Sequence, residues 1–372
     1  MQVIKSTKET FAGAMQIVGG VVGKSRQTLP ILSNVLIRKS GSHVEFTATD
    51  LDLEAHTFAE VGGDAPDVAL TVDAAKLSSL VATLDAKEEV TLEVAQNDSP
   101  MVEIRQGKSA FKLNTMPADE FPVQAAGPFD QSFTLASDEF RHVLQLVHFA
   151  MAQQDIRYYL NGMYLRIEGD KLKAVTTDGH RLAYTEETLK NPVDCSVECI
   201  VPRRTVLELI RLMPEDDTPI RIELTQSVFC ATFKNVTLIS KLVEGKFPDY
   251  TRVIPTANNN VFDARREAFL TTLKRVSILT NAKLHSLRWQ LRKNALCIQS
   301  TNSDREEVTD YVDIAYDGED IDIGFNILYL QDVLSNLKCE NVRFALSNGT
   351  GAMLITMPDS ASFKYVVMPM RA

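Results

Sequence analysis

Three phenylalanines at a fixed interval constrain this chain more than any property of its composition. Phe11, Phe140 and Phe269 stand 129 residues apart both times (140 minus 11 and 269 minus 140). Each opens an apolar series of helical period: Phe11 with Met15 and Val18, Phe140 with Leu144 and Val147, Phe269 with Leu273 and Val276. That spacing puts the apolar side chains on one helix face. It predicts helices over Thr7 to Val18, Ser137 to Phe149 and Arg265 to Leu279. A constant interval marks a repeated unit, so the chain reads as three copies of one fold.

A second helix recurs deeper in each copy. Asp73 precedes Leu77, Leu80 and Val81; Val201-Pro202-Arg203 leads into Val206, Leu209 and Ile210; Asn326 precedes Leu330, Val333 and Leu334. Asp73 and Asn326 suit N-caps, and Pro202 suits a first helical turn, where no N–H is needed. Alternating runs predict strands at Val44 to Thr47, Val90 to Val94, Phe111 to Leu113, Arg221 to Leu224, Val228 to Phe233 and Val342 to Leu346. Each copy is therefore an α+β unit with two helices and antiparallel sheets. Small, Pro and Asn residues gather at Ala125 to Asp130 and Thr256 to Asn260, which bounds the domains at 1–125, 131–255 and 259–372.

The 372 residues, 45% of them hydrophobic, suffice for a large core. The formal net charge of -10 argues against a uniformly basic nucleic-acid binder but allows a local basic surface. Arg203, Arg204 and Arg211 share one predicted helix, and Arg265, Arg266, Lys274 and Arg275 another, whereas the acidic surplus gathers in Asp50 to Glu60, Asp85 to Glu93 and Asp310 to Asp322. Such a distribution suits a one-sided phosphate-facing surface, with ordinary solvated helix faces as the competing reading. Cys195, Cys199, Cys230, Cys297 and Cys339 form no CxxC pair and meet no histidine at ligand spacing, so no disulfide framework, metal or cofactor is expected. The absence of an apolar signal core or a bilayer-length stretch predicts a cytoplasmic protein with no membrane role.

One turn stands out. In Ala174 to Ala183, AVTTDGHRLA, an apolar run delivers Thr177-Asp178-Gly179 to a corner that His180, Arg181 and Leu182 leave. Gly tolerates positive φ there, and Asp bonds the backbone ahead of it. Related corners stand at Ala48-Thr49-Asp50-Leu51-Asp52 and Ser300-Thr301-Asn302-Ser303-Asp304-Arg305, so the middle copy is a decorated version of a repeated element. Asp178 with His180 suggests a metal-dependent hydrolase or nuclease as the alternative function, yet no nucleophile accompanies them. Asp50, Asp52 and Glu54 alternate as an exposed strand face would. Gly19 to Ser25 nearly reads as a phosphate-binding loop, but that pattern needs Gly where Val18 stands.

Taken together, the three units, the TTDGHRL corner, the closing KLVEGKFPDY and the terminal YVVMPMR resemble the bacterial DNA polymerase III beta subunit, the replicative sliding clamp, from end to end. The resemblance implies a DNA-clamp fold and a ring-shaped head-to-tail homodimer, with helices lining a channel for double-stranded DNA. It implies a non-catalytic processivity factor, with no catalytic residues. An acidic exterior is compatible with this, since it raises the contrast with a weakly basic channel.

The same resemblance assigns residues. DNA contacts fall on Arg26, Gln154, Tyr158, Tyr159, Arg203 and Arg204, with one of the two tyrosines expected in the core. A groove for short apolar peptides from the polymerase III catalytic subunit, the clamp loader, other polymerases and repair proteins falls on Leu160, Thr177, Gly179, His180, Arg181, Leu182, Pro248, Arg252, Val253, Val366, Val367, Met368, Pro369, Met370 and Arg371. Ala372 departs from the larger apolar residue that often ends relatives. The dimer interface falls on Phe111 and Leu113 against Ile278 and Leu279, and on Arg105, Lys108 and Lys112 against Asp304, Glu306 and Glu307.

Overall fold

The computed structural model describes residues 2–22, 29–61, 67–94, 101–124 and 127–370. Six α-helices are found among them: α1 (Lys8–Val18), α2 (Ala74–Thr83), α3 (Ser137–Val147), α4 (Arg203–Leu212), α5 (Arg266–Ser277) and α6 (Ile327–Asn336). Phe11, Phe140 and Phe269 sit at matching positions in α1, α3 and α5, each buried. Side chains satisfy the first free amides where expected: Thr7 accepts from the Thr10 amide, Asp73 from Lys76 and Asn326 from Leu328. Pro202 differs from its expected place. It ends the long strand Arg181–Pro202, and α4 begins one residue later, where the Arg203 amide donates to the Asn161 carbonyl at 3.0 Å.

The chain divides into two compact units, Met1–Asp138 with Leu207–Leu242, and Glu139–Val206 with Val243–Ala372. Compactness therefore does not follow the three repeats, because strands pair across the repeat boundaries. In the first unit, Leu53–Glu60 of the first repeat pairs antiparallel with Val236–Lys241 of the middle one, within an eight-stranded sheet. The second unit contains the corresponding join, where Arg181–Pro202 pairs with Ser360–Val367 of the last repeat in a six-stranded sheet. The middle repeat is thus shared.

Each unit also holds a four-stranded sheet, and among the described residues one of its two outer strands is of particular interest. In the first unit that strand is Ser109–Asn114, and in the second it is Glu307–Asp313. The second unit packs its core around Trp289, which touches Phe262, Phe269, Phe325 and Phe344 at ring-centroid distances of 5.1 to 6.4 Å. No described helix is long and apolar enough to cross a membrane.

The acidic strand after the first corner departs from its expected exposed face. Glu54 is fully buried, because its carboxylate accepts from His56 Nε2 at 2.7 Å and from the Gln124 amide at 3.0 Å. His56 Nδ1 lies 2.9 Å from Glu45, so both ring nitrogens face carboxylates and the ring is an imidazolium. Burial alone would lower its pKa, but the bonds to Glu45 and Glu54 raise it to about 9. A raised folded-state pKa stabilises the fold fully below the unfolded value, and the contribution is lost as pH climbs through the folded value. We expect stability to fall by about 3 kcal/mol between pH 6.5 and 10 through this one group. Urea titrations of wild type and His56→Gln across that range check it, since the variant should lack the drop.

Candidate functional site

The corner at Thr177 is built by its own side chains. Asp178 Oδ1 accepts from the amides of His180 (2.9 Å) and Arg181 (3.0 Å), while the Thr177 hydroxyl donates to the Arg181 carbonyl at 2.6 Å and accepts from the Gly179 amide at 3.1 Å. Gly179 takes φ 90°, open to glycine and strained for other residues. A side chain there would also strike Arg157, whose Nη2 lies 2.9 Å from the position of a Cβ.

The first corner repeats these bonds. Asp50 accepts from the amides of Asp52 and Leu53, and Thr49 donates to the Leu53 carbonyl and accepts from the Leu51 amide. Asn302 accepts from Asp304 and Glu306 in the third. Leu51 (φ 79°) and Arg305 (φ 65°) carry the left-handed residue there. The first two corners are thus one turn in two sequences, closed by an amide bond across three residues, whereas the third is one residue longer, with the Asn302 amide donating to the Glu306 carbonyl.

What sets the middle corner apart is Arg181, which stands where the first has Leu53. Its side chain turns inward: Nε pairs with Asp178 at 3.0 Å, Nη1 with Asp332 of α6 at 2.6 Å, and Nη2 donates to the Phe149 carbonyl at 2.9 Å. The guanidinium also lies over the Tyr329 ring, 4.4 Å from its centroid. Burial opposes its charge, but Tyr365, Asp332 and Asp178 outweigh that and hold its pKa above the usual arginine range. Both carboxylate oxygens of Asp178 are therefore engaged in holding the turn.

A shallow pocket of about 20 Å³ opens beside the corner, lined by Thr177, Gly179, His180, Arg181, Leu182, Val253, Val366 and Met368. Leu182 pairs with Val366 across the sheet, and the Met368 amide donates to the His180 carbonyl at 2.9 Å, so corner and tail form adjoining walls. Of the other residues assigned to the groove, Val367 pairs with Arg181 across the sheet, next to the pocket. Pro369 and Met370 line a wider hollow with Arg288, Asp322 and Thr350, where the Met370 amide donates to the Gly324 carbonyl at 2.8 Å. Leu160 and Val367 are buried, while Pro248 and Arg252 are exposed, with Arg252 paired to Asp249. Arg371 and Ala372 lie outside the described residues.

Of the residues assigned to DNA, Arg26 also lies outside the described residues. Gln154 is exposed, at φ 54°. Tyr158 is 58% exposed, whereas Tyr159 packs against the core of Tyr164, Val175 and Leu182, so Tyr159 is the core member of the pair. Arg203 is half-buried and donates to the Met151 carbonyl at 3.3 Å; burial and the neighbouring Arg181 lower its pKa. Arg204 is also half-buried.

Several basic helix residues are engaged within the protein. Arg211 donates to the Gln16 and Ile17 carbonyls that end α1 (2.7 and 3.0 Å), Arg266 to Leu334 and Cys339 beyond α6, and Arg275 pairs with Asp310 at 2.7 Å. Cations at helix C-termini complete carbonyls that the helix leaves unbonded. Lys274 is exposed. Arg211, Arg266 and Arg275 are thus committed to partners within the chain.

Of the residues assigned to the interface, Phe111, Lys112 and Leu113 lie on the outer strand Ser109–Asn114 and Glu307 begins the outer strand Glu307–Asp313, while Arg105 lies on the inner strand before Ser109–Asn114, and Ile278 and Leu279 follow α5. Lys108, Phe111 and Lys112 are exposed on or beside Ser109–Asn114, with Leu113 half-buried; Arg105 pairs with Glu103 of its own sheet at 2.7 Å. In the second unit, Ile278 is 78% exposed just past α5, Leu279 is half-buried, and Asp304, Glu306 and Glu307 are exposed. The involvement of Asp332, Tyr329 and Arg157 at the corner had no sequence signal. Their contacts join segments 21 to 151 residues apart.

Three models of the DNA polymerase III beta subunit match the chain in order: the N-terminal domain over residues 3–125, the central domain over 134–249 and the C-terminal domain over 251–371. The beta sliding clamp of Pseudomonas aeruginosa is 39% identical over 98% of both chains. A structure of the P. aeruginosa clamp bound to griselimycin superposes with a TM-score of 0.92 at 38% identity, covering all of both chains. One of the Bartonella birtlesii clamp, also bound to griselimycin, gives 0.93 at 34% identity over 99% of each.

Proposed function

Because the chain belongs to the DNA polymerase III beta-subunit family, we propose that it acts as a sliding clamp: two copies close head to tail around duplex DNA and tether the replicative polymerase to it. The single observation that carries this is the end-to-end match of three successive domain models to one repeated chain. The proposed domains are 1–125, 131–255 and 259–372. With topological closure a weak positive face suffices, since a ring resists dissociation without strong phosphate contacts and slides because those contacts are nonspecific.

The two open strand edges support the proposed dimer. A head-to-tail contact is heterologous, and each protomer offers one half of it in each unit, so two copies form two such contacts. Edge pairing would join Ser109–Asn114 of one copy to Glu307–Asp313 of the other and remove both exposed edges. Lys108 and Lys112 would then meet Asp304, Glu306 and Glu307.

We propose the pocket beside Thr177 as the docking site for short apolar peptides of polymerases, the loader and repair proteins. Its apolar walls and adaptable Met368 suit sequence-tolerant capture. Ring opening would fall to a separate ATP-driven loader.

Retention on nicked circular DNA, after loading by the cognate loader and ATP, tests the function. At about 1 M salt, where charges are screened within about 3 Å, the protein should stay on the circle and leave once the DNA is linearised. Equal loss from both forms, with a loader of demonstrated activity, would overturn the proposal.

A further inference from the structure

We propose that Asp332 of α6 is a positioning residue for the groove, holding the Thr177 corner in its binding shape through Arg181. This rests on the groove reading above. Arg181 is anchored inside its own corner by Asp178 and to the segment after α3 by the Phe149 carbonyl, whereas Asp332 lies 151 residues further along the chain. The last repeat also supplies Val366 and Met368, so the ion pair ties one wall of the pocket to the repeat that builds the other. The first corner has Leu53 in the equivalent place and buries it without any ion pair.

An ion pair with a side chain taken out of water gains little net stability, because desolvation offsets the attraction. Its contribution is directional. With Nη1 fixed at 2.6 Å from Asp332 and the guanidinium seated on Tyr329, the strand that leaves the corner cannot rotate freely. Gly179 and His180 then present their side of the pocket already ordered, and a ligand loses less entropy on binding to a wall ordered in advance.

Griselimycin, the ligand of the two related clamp structures, is the probe, titrated into the full-length dimer. Asp332→Asn keeps the shape but removes the charge and should weaken binding about tenfold, mainly through faster dissociation. Asp332→Glu restores the carboxylate and should bind within about twofold of wild type. Asn336→Ala removes a donor to the Asp332 backbone carbonyl while sparing the carboxylate, and should change nothing.

Met368→Glu, which places a charge in the pocket wall, separates this proposal from the reading beneath it. If Met368→Glu binds like wild type, the groove reading fails and Asp332 falls with it. If Met368→Glu abolishes binding but Asp332→Asn does not weaken it, the positioning role alone is overturned. Equal weakening by Asp332→Asn, Asp332→Glu and Asn336→Ala would also overturn it, as a general loosening of α6. Should Asp332→Asn fail to fold, Tyr329→Leu removes the ring beneath the guanidinium. It should weaken binding in the same way, and wild-type affinity would overturn the proposal.

Discussion

Ile278→Ala combined with Leu279→Ala should convert the dimer to monomers at micromolar concentration. Ile278 is 78% exposed in the single chain, just past α5, so its side chain has little internal packing to lose. Covering an Ile or Leu side chain contributes about 1.5 to 3 kcal/mol, less for Leu279, which is already half-buried. A two-membered ring contains the contact twice, so each truncation counts twice, and the pair should weaken dimerisation by at least about a thousandfold. Sedimentation at several concentrations reads the mass. Trp289, the only tryptophan of the chain, is buried among aromatic rings of the second unit, and its emission reports whether the monomer stays folded. Intact dimers at about 100 nM would remove Ile278 and Leu279 from the interface.

Features legible in the sequence are those with local causes. Helical period placed Phe11, Phe140 and Phe269 in α1, α3 and α5, because one apolar face must be covered whatever covers it. The corners were legible because Asp, Asn, Thr and Gly act on backbone within a few residues of themselves, as the bonds of Asp50, Asp178 and Asn302 show. Strand pairing across repeats was not, since Leu53–Glu60 meets Val236–Lys241 through backbone bonds that any alternating run offers.

Charged residues were the hardest to place, because the same side chain serves solvent, phosphate or a buried partner depending on folds of the chain far away. Glu54 reads as a solvated strand carboxylate, yet it is buried by His56 and the Gln124 amide. Arg211 and Arg266 read as a phosphate-facing surface but complete helix ends. Arg181 lines the pocket, and its guanidinium also reaches inward to Asp332, a partner 151 residues away. In each case at least one partner is distant in sequence, such as Gln124, the end of α1 or α6, and local composition carries no trace of it.

On the proposed reading of the Thr177 pocket, deleting Met368–Ala372 should abolish binding of a short apolar peptide while leaving the dimer and the fold in place. The deletion begins just past the strand Ser360–Val367, whose pairing with Arg181–Pro202 and Met353–Met357 is untouched. What disappears is the Met368 wall of the pocket, its amide bond to the His180 carbonyl, and the bond from Met370 to Gly324. Losing the contact with one apolar wall residue forfeits about 1.5 to 3 kcal/mol. A corner released from its neighbour adds the entropy of reordering, so affinity should fall at least a hundredfold, by about 2.7 kcal/mol. Met368→Leu keeps an apolar wall of similar volume and should retain most of the affinity, whereas Met368→Glu should match the deletion. Calorimetry with such a peptide measures the loss, and sedimentation confirms that the dimer persists. Unchanged affinity in the truncated chain would move the binding site away from the Thr177 corner, because no ligand held there would be indifferent to losing an adjoining wall.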